Sequence, residues 1–413
     1  MSPEPASPQL SLAILSRSQK LYSTSRLVHA ARARGHSVKV LDPLRFGIYM
    51  SPGQPDLTYN GRPLKRFDAV IPRIGHSITY FGSSVVRQFE QMGTFCLNTA
   101  DSIIGSRDKL ASMQSLSRHE VGIAQTAFVR RPEDILSAIQ SMGGAPVVIK
   151  LLSGTQGIGV ILAETNKVAE AIIETLGSIK QSVLVQKFVS ESKGRDIRAF
   201  VVGDQVVAAM RRTAAGQEFR SNVHRGGSTE VVELDPAYTR SALRVAQIHN
   251  LKVAGVDMLE GADGPVVMEV NSSPGLEGIE KSTGVDIATE IIRYIESRVR
   301  FGNFDVRERL SLTRGYSVGE FSIQKDWLMI GKQISESGLR ELDIVVLRIV
   351  RGADHIANPR LDRILHEGDS LLCYGPEEAL RSFLPKQIRR RRSKKKVGSQ
   401  VADNPSSPEL PSA

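Results

Sequence analysis

Three side chains with oxygen ligands stand at spacings that could hold a hard metal cation. Asp257 ends an apolar run, residues 260–264 reverse the chain, and Glu269 and Asn271 lie two apart on the returning run. Because side chains alternate along a strand, Glu269 and Asn271 share one face, and hairpin pairing brings Asp257 opposite them. Two carboxylates and an amide, without a nitrogen or sulfur ligand nearby, favour magnesium or manganese. The competing interpretation is the charged edge of an ordinary hairpin.

A glycine-rich loop and two lysines precede this hairpin. Lys150 is embedded in a predicted strand, 146–152, and residues 153–159 (SGTQGIG) join it to the next strand. A dinucleotide-binding fold would place its glycines between a strand and a helix at another spacing. A mobile flap over phosphates fits better, although glycine-rich hairpins are often only turns. The loop glycines are Gly154, Gly157 and Gly159. Lys109, on a predicted helix, is the second cation that could neutralise phosphate oxygens.

Positive charge is concentrated just before the hairpin. Arg211 and Arg212 follow a predicted strand, and Arg220 and Asn222 lie in the segment FRSNVH. A guanidinium binds phosphate or carboxylate oxygens through a rigid bidentate fork. We expect a surface salt bridge for one of Arg211 and Arg212, whereas Arg220 and Asn222 are candidates for a nucleotide-phosphate site.

Composition indicates a globular chain of ordinary character. Its 413 residues, 41% hydrophobic and 24% charged, suffice for roughly two to four domains. The longest apolar runs fall far short of the roughly 20 residues that span a bilayer, so no membrane segment is predicted. The beginning, MSPEPASPQL, argues against a secretory signal. Cys96 and Cys373 lie in separate regions, so no disulfide or thiolate metal site is expected, and the expected compartment is the cytoplasm.

The net charge of +10 belongs mostly to the C-terminal tail. From Lys386 onward there are eight basic and two acidic residues, a net charge of +6, so the rest of the chain carries +4. A solvated, disordered polycationic end is the default interpretation, and contact of this tail with RNA on a ribosome is the alternative. The proline- and serine-rich residues 1–10 are also predicted to be disordered.

Alternating strands and helices predict a small α/β unit that ends near Asn98. Its predicted strands are 12–15, 38–41, 69–71 and 94–97, and its predicted helices are 25–34 and 82–92. Further helices are predicted over 103–120, 133–141, 238–249 and 286–299, and further strands over 146–152, 160–162, 183–188, 196–202 and 206–210. Residues 301–314 are a predicted linker, and 316–383 a separate small α/β domain without a visible catalytic cluster.

In this order, the motifs resemble those of the ATP-grasp superfamily, and the match narrows to the RimK-type ligases. These enzymes add L-glutamate to the C-terminus of a small-subunit ribosomal protein. The resemblance covers about residues 11–297 and rests on LAILSR, FDAVIPRIG, RDKL, GTQGIGV, FRSNVHRGG, AGVDML and VMEVNSSPGLEGIEK. It implies an α/β chain of the α+β ATP-grasp type, with a pre-ATP-grasp α/β domain over 11–98 and a two-lobed ATP-grasp catalytic domain over 99–300.

The C-terminal segment resembles the TrkA-C, or RCK C-terminal, fold in YSVGEF, LRELDIVVLRIVRG and LHEGDSLLCYG. Typical RimK-type chains stop near Arg300, so this small RCK-C-like α/β domain, over 315–385, is the largest departure from the family. The basic tail, 386–413, follows it. In transport systems such domains dimerise and bind small regulatory ligands. Allosteric control or homo-oligomerisation of the ligase is the resulting hypothesis, and an inert dimerisation domain is the alternative.

The resemblance also implies roles for individual residues. Those implied to bind ATP are Lys109, Lys150, Gly157, Gln186, Lys187, Phe188, Asp196, Arg220, Ser221 and Asn222. Among them, Lys109 and Lys150 would hold phosphates and Asp196 the ribose, while the segment from Gln186 would grip adenine. The implied ligands of magnesium or manganese, with two ions expected, are Asp257, Glu269 and Asn271. In the family the position of Lys187 is commonly acidic, so this chain departs from the pattern there.

The implied reaction activates a C-terminal carboxylate as an acyl phosphate, which the amine of L-glutamate attacks to form a peptide bond. Arg220 and Lys150 are the implied catalytic residues, and Arg220 would stabilise charge on the transferred phosphoryl group or on the tetrahedral intermediate. No side-chain nucleophile is required. His224 is expected either to act on the amine proton or to be a structural hydrogen-bonding group. Further candidates, for the acceptor carboxylate, lie at predicted strand ends: Ser16, Arg17 and Arg73.

Three functions stay open on the sequence alone. The favoured one is a glutamate ligase that acts on the C-terminus of a protein, with no membrane partner expected. The second is ligation onto a small acid, or synthesis of free poly-glutamate. The third, suggested only by the C-terminal domain, is a nucleotide-sensing regulator of a cation transporter. Under the favoured function, replacing Asp257 or Glu269 by alanine is expected to abolish ligation and to leave the fold largely intact.

Overall fold

The structure is a computed structural model, and it divides into two compact units. These units are Met1–Asn303 and Phe304–Ala413. The residues that the structure describes are 9–119, 121–129, 131, 134–151, 159–178, 183–216, 219, 226–299, 315–352 and 354–383. The mixed α/β class predicted from the sequence is confirmed.

A parallel sheet organises the first part of the larger unit. The elements are β1 (Ser11–Leu15), α1 (Tyr22–Ala33), β2 (Ser37–Leu41), β3 (Phe46–Ser51), β4 (Gln54–Tyr59), β5 (Arg62–Pro63), β6 (Ala69–Pro72), α2 (Thr79–Gln91) and β7 (Phe95–Cys96). The parallel strand order is β2-β1-β6-β7. Along β1, Leu12 and Ile14 pack with α1, whereas Ala13 and Leu15 pack with α2, as expected for a strand covered on both faces.

The strands β3, β4 and β5 form a separate antiparallel sheet that the sequence did not predict. Apolar and polar residues do not alternate regularly along these strands, and many side chains are exposed, including that of Met50, which is 84% exposed. Without an apolar run or a clean period of two, such a segment has no strong strand signal.

Two short helices replace the single helix predicted over 103–120. They are α3 (Ala100–Arg107) and α4 (Lys109–Arg118). Asp108 between them is extended, with φ −74° and ψ 102°, and its side chain accepts a hydrogen bond from the Ala111 amide at 2.9 Å. Aspartate is a preferred helix N-cap, so this residue ends one helix and begins the next. Arg107 and Lys109 therefore stand on either side of a break.

A four-stranded antiparallel sheet forms the small lobe. Its elements are β8 (Thr126–Val129), α5 (Ile135–Ser141), β9 (Val147–Leu151), β10 (Val160–Ala163), α6 (Asn166–Ser178) and β11 (Val183–Lys187), with strand order β10-β9-β11-β8. Val147 and Ile149 of β9 pack with both helices. Because side chains alternate, Lys150 points to the opposite face of this sheet.

A five-stranded antiparallel sheet forms the large lobe. Its strands are β12 (Arg195–Val202), β13 (Gln205–Thr213), β14 (Ser228–Val231), β15 (Val253–Gly261) and β16 (Gly264–Asn271), in the order β14-β13-β12-β15-β16. Its helices are α7 (Pro236–Ile248), α8 (Glu277–Thr283) and α9 (Ile287–Arg298). One face packs on α7 and α4. The other face shares a core with α1 and β1, so the parallel sheet and this lobe are held together by common packing.

Asn98 joins the parallel-sheet segment to the hairpin of β15 and β16. Its buried amide donates to the carbonyl oxygens of Val253 (2.8 Å) and Ser272 (2.9 Å), and its Oδ1 accepts from the amides of Lys252 (2.8 Å) and Val253 (3.1 Å). An asparagine side chain has two donors and two acceptor sites, so all four are used. The side chain thus fixes the beginning of β15 and the end of β16 together.

The smaller unit has its own core. Its elements are β17 (Tyr316–Ser322), β18 (Val345–Arg351), β19 (Asp354–Ala357), β20 (Ser370–Pro376) and a short helix, α10 (Glu377–Ser382), with strand order β17-β20-β18-β19. Leu371 and Cys373 of β20 are fully buried, and Phe321 stacks on Phe383 with ring centroids 4.9 Å apart. Among the residues described in either unit, no helix has the length and apolar character needed to cross a membrane.

Replacing Asn98 by alanine is expected to lower the free energy of unfolding by about 2–4 kcal/mol, because buried backbone groups lose their partners. Asn98→Asp should destabilise at least as much, since its carboxylate would face the carbonyl oxygens of Val253 and Ser272. Urea denaturation measures both. Asn166→Ala is the matched control, because Asn166 accepts one exposed hydrogen bond from Ala145. Equal effects at the two positions would contradict the role given to Asn98.

Candidate functional site

The hairpin places its three oxygen-bearing side chains as their spacing predicts. Asp257 of β15 lies directly opposite Glu269 of β16, and Gly255 lies opposite Asn271. The turn is shorter than predicted, because pairing continues to Gly261 and Gly264. Glu269 is exposed, and its Oε1 accepts a hydrogen bond from the Asn271 amide at 3.1 Å.

Asp257 is buried and is held by two arginines. Its Oδ1 accepts from Arg198 Nε at 2.7 Å, and its Oδ2 accepts from Arg198 Nη2 at 2.6 Å. Arg212 Nη2 lies 2.9 Å from Oδ2. Burial alone would raise the pKa of Asp257, but the charges and hydrogen bonds of Arg198 and Arg212 outweigh it and hold the pKa below its ordinary range. The carboxylate is therefore ionised.

A second buried pair extends this network. Arg212 donates through Nε and Nη2 to the two carboxylate oxygens of Asp196, both at 2.6 Å. Although burial lowers the pKa of Arg212, the charges of Asp257 and Asp196 raise it above its ordinary value. Asp196 is 1% exposed, so both of its oxygens are committed to protein contacts in this structure. Its role at the ribose stays a prediction.

Arg211 differs from Arg212 as the alternation of β13 requires. It lies on the other face, partly exposed, and pairs with Glu260 and Glu230, each at 2.7 Å. Its pKa is raised by the hydrogen bonds that it donates to these two carboxylates. The sequence predicted a surface salt bridge for one of the two arginines, and Arg211 makes it.

Lys109 and Lys150 lie within electrostatic reach of Glu269. Lys109 Nζ donates to the Leu151 carbonyl at 3.1 Å, which ties the beginning of α4 to β9. Burial lowers the pKa of both lysines, and the charge of Glu269 opposes that shift in each case. The charge of Lys109 lowers the pKa of Lys150 further, so the two cations are neighbours. The predicted phosphate lysines and the predicted metal hairpin thus converge.

The segment predicted to grip adenine is the end of β11. Gln186 is buried, and its amide donates to Thr126 Oγ1 at 2.8 Å. Lys187 Nζ donates to the Gly144 carbonyl at 2.8 Å, so its charge satisfies a turn of the small lobe. The ring of Phe188 meets that of Phe219 edge to face, with centroids 6.5 Å apart. A role for these residues at adenine stays a prediction.

Several predicted site residues lie outside the described part of the chain. They are Gly154, Gly157, Arg220, Ser221, Asn222 and His224. Phe219 is described, and its contact with Phe188 places the chain just before Arg220 beside the end of β11.

Two residues near the strand ends are less suited to a substrate than predicted. Ser16 is 1% exposed, and its hydroxyl is bonded to Thr24 Oγ1 at 2.8 Å and to the Ser18 carbonyl. Arg17 has its Nε 3.6 Å from Asp42 Oδ1 on the surface. The side chain of the third candidate, Arg73, makes no hydrogen bond and no ion pair with the described residues.

Sequence reasoning missed Arg198, which grips Asp257 most closely. It stands two residues after Asp196 in the run DIRAFVV, whose other residues are apolar, so alternation places both charges on one face of the strand. That pattern was a usable signal, since a buried charge needs a partner of opposite sign.

The donor set fits a divalent cation of the magnesium type. A carboxylate offers about four acceptor sites, and the arginines use three on Asp257, which leaves one on Oδ1. Glu269 and the Asn271 amide oxygen add ligands of the same hard kind. Among the described residues, no three His, Cys, Asp or Glu side chains cluster as a metal site, so the amide of Asn271 is needed to complete this set.

Models of known families match most of the chain. The RimK PreATP-grasp domain matches residues 10–103, the RimK-like ATP-grasp domain matches 106–295, and the TrkA-C domain matches 318–386. The hairpin, the lysines and the arginine network all lie within the second match or at its beginning.

Individual proteins match over long stretches. A probable alpha-L-glutamate ligase of Rhodopirellula baltica is 60% identical over 386 residues, 94% of this chain and 95% of its own length. One of Vibrio atlanticus is 55% identical over 289 residues, 70% of this chain and 96% of its own length. Among solved structures, the ATP-grasp ligase PsnB complexed with minimal precursor has a TM-score of 0.57 at 21% identity, and the match covers 70% of this chain and 99% of PsnB.

Asp257→Asn is expected to lower the free energy of unfolding by about 3–5 kcal/mol, because Arg198 and Arg212 lose a buried counter-charge. The expectation that replacing Asp257 leaves the fold largely intact did not take these two ion pairs into account. The depressed pKa means that the pairing stabilises the wild type fully above the ordinary aspartate pKa of about 3.9, and that this part is lost as pH falls through the lower folded value. Denaturation at several acidic pH values should show a larger loss of stability in the wild type than in Asp257→Asn, which keeps only the dependence due to other paired carboxylates such as Asp286 and Glu296.

The matched control for that experiment is Glu269→Gln on the facing strand. Because Glu269 is exposed and bonded only to Asn271 among the contacts described, its replacement should leave stability nearly unchanged. A large loss of stability at Glu269, or none at Asp257, would contradict the distinction.

Proposed function

Since this chain belongs to the RimK-type ATP-grasp family of ligases and carries a TrkA-C domain, we propose that it joins L-glutamate to the C-terminus of a protein. The resemblance noted in the sequence, and the assignment to carbon–nitrogen ligases, are confirmed by these matches. The observation that carries the proposal is the convergence of Lys109, Lys150 and Glu269 beside Asp257 and Asn271.

The proposed reaction proceeds in two displacements. An oxygen of the acceptor carboxylate attacks the γ-phosphorus of ATP, a phosphorus–oxygen bond breaks, and ADP leaves with the electron pair. The glutamate amine then attacks the acyl phosphate at carbon, phosphate leaves, the amine proton passes to solvent, and a peptide bond remains. Phosphorylation is needed because a carboxylate is a poor electrophile and oxide is a poor leaving group.

The described residues would bind and orient the reactants. Lys109 and Lys150 donate to phosphate oxygens from two different elements, α4 and β9, and so fix the triphosphate between them. Asp257, Glu269 and Asn271 would hold magnesium or manganese, as two ions. A bound divalent cation neutralises phosphate oxygens and aligns the leaving group. Arg198 and Arg212 keep Asp257 ionised and immobile.

The remaining assignments belong to the same proposal. The end of β11, with Gln186, Lys187 and Phe188, would receive adenine, and Asp196 the ribose. Residues beyond the described part, Gly157, Arg220, Ser221 and Asn222, would cover the phosphates, and Arg220 would stabilise charge during both displacements. The proposed domains are the pre-ATP-grasp domain over 11–98, the catalytic domain over 99–300 and the C-terminal domain over 315–385. The proposed location is the cytoplasm.

The acceptor is proposed to be a small-subunit ribosomal protein, as in the RimK-type ligases. The basic tail, 386–413, would suit contact with ribosomal RNA, because clustered lysine and arginine bind phosphate backbones. Intact-mass analysis of ribosomal proteins incubated with the chain, ATP and glutamate tests this acceptor directly. If mass increments appear only on small acids or on free glutamate, the acceptor is one of these and not a ribosomal protein.

The smaller unit is proposed to regulate or oligomerise the ligase, with a small regulatory ligand. The match to the Vibrio atlanticus relative covers 96% of that protein but only 70% of this chain. The region that matches the TrkA-C domain, 318–386, includes a separate core of its own.

Glu269→Gln is expected to lower the rate of ligation roughly 10²–10³-fold, the size typical of losing one charge-stabilising group. The measurement is ADP release that requires ATP, magnesium, glutamate and acceptor together. Glu260→Gln is the control, because Glu260 lies on the same hairpin but pairs with Arg211 on the other side. Activity of Glu269→Gln within a few-fold of the wild type would contradict the proposed site.

A chain shortened to residues 1–303 should retain ADP release within a few-fold, because the core of the larger unit uses none of the described residues beyond 299. Its oligomeric state, measured by light scattering, or the response of its ADP release to small molecules should change. A soluble but inactive shortened chain would show that the smaller unit contributes to the chemistry.

A further inference from the structure

Arg73 stands where a parallel strand ends. It follows β6 directly, and its amide donates to the Leu15 carbonyl at the end of β1, at 2.9 Å. Ligands of open α/β sheets bind at these carboxyl ends of strands. The Arg73 side chain is half-buried, so it is enclosed and still reachable from solvent.

Arg107 stands beside it and is anchored to the same loop. Its Nη1 donates to the Gly75 carbonyl at 3.0 Å and to Thr79 Oγ1 at 2.6 Å, and its Nη2 donates to the Ile74 carbonyl. These partners are neutral, so they hold the guanidinium in place without cancelling its charge. Arg107 thereby fixes the loop that presents Arg73.

The two guanidinium groups share no carboxylate among the described residues. Burial and the charge of Arg107 lower the pKa of Arg73 to about 10, and burial lowers the pKa of Arg107. Elsewhere in this unit partly buried arginines are paired, as Arg26 is with Glu280 and Arg34 with Glu296. Two adjacent desolvated cations without a counter-ion favour an anion between or beside them.

The pair lies next to the site described above. Ser273 follows Asn271 by two residues, and its hydroxyl donates to the Pro72 carbonyl, immediately before Arg73, at 3.4 Å. Arg107 precedes Lys109 by two residues across the break at Asp108. An anion on Arg73 would thus lie on the side of the hairpin and lysines that faces the parallel sheet.

We infer that Arg73 binds a carboxylate of a substrate, with Arg107 as the residue that positions it. This inference rests on the proposed function, in which both substrates carry carboxylates. Arg73 makes no side-chain hydrogen bond with the described residues, so its five donors can meet a carboxylate through the bidentate fork. The carboxylate belongs either to glutamate or to the C-terminus of the acceptor, since both offer the same chemistry.

The test compares Arg73→Met and Arg73→Lys with the wild type as full-length chains. Steady-state ADP release gives the KM for ATP, for glutamate and for an acceptor peptide separately. Arg73→Met is expected to raise the KM of one carboxylate substrate about 10- to 100-fold, the usual effect of losing charged hydrogen bonds, with the KM for ATP within a few-fold. Arg73→Lys keeps the charge but loses the fork, so an intermediate rise is expected.

The matched control is Arg87→Met. Arg87 lies on α2, which packs against the same parallel sheet. It is exposed and pairs with Asp101 at 2.9 Å, so its loss should change no KM. A rise for glutamate alone identifies the carboxylate as that of glutamate, and a rise for the peptide alone identifies the acceptor. Unchanged KM values, or a rise for ATP alone, would overturn the inference. If Arg73→Met is destabilised in thermal unfolding, Arg73→Lys decides.

A second readout separates this inference from the proposed function. Absence of ADP release by the wild type with glutamate and acceptor would refute the function. Modification of Arg73 by phenylglyoxal, mapped by mass spectrometry, can still be measured in that case. Protection of Arg73, but not of Arg87, by millimolar glutamate or acceptor peptide supports the carboxylate site, and equal modification with and without both refutes it.

Discussion

A buried alternation of charge on three adjacent strands governs the candidate site. Asp196 and Arg198 of β12, Arg212 of β13 and Asp257 of β15 pair at 2.6 to 2.9 Å. The four charges cancel, which is the condition under which such groups can be enclosed at all. Asp257 is therefore ionised and immobile before any ligand arrives. Glu269, outside this network, is the carboxylate whose charge reaches Lys109 and Lys150.

The parallel sheet and the large lobe act as one support for this arrangement. Apolar residues of β1, α1, α8 and α9 form a single core, and Asn98 binds both ends of the hairpin. Ser273 then touches the carbonyl before Arg73. Groups from two sheets are thus held at one place by packing and backbone hydrogen bonds, and their relative position does not depend on a long exposed loop.

Much of the fold could be predicted because strong local patterns and long-range structure agree. The alternation around Asp257 and Glu269 gave the hairpin and its facing side chains. The break at Asp108 was missed because a single capping residue interrupts an otherwise helical pattern. The grip of Arg198 on Asp257 was missed because the two residues are 59 apart, and only the pairing of β12 with β15 brings them together. Periodicity identifies faces, but it does not say which strands become neighbours.

The break at Asp108 has a consequence for how the family can vary. In one continuous helix, residues two apart differ in direction by about 200°, which would send Arg107 and Lys109 to opposite sides with no freedom to adjust. Because the helix is interrupted at Asp108, Arg107 can point towards the loop after β6 while Lys109 points towards Leu151. Because both contacts depend on the spacing of these two residues, an insertion or deletion at Asp108 should disrupt them. Insertions or deletions in the turns of β3 to β5 should be tolerated.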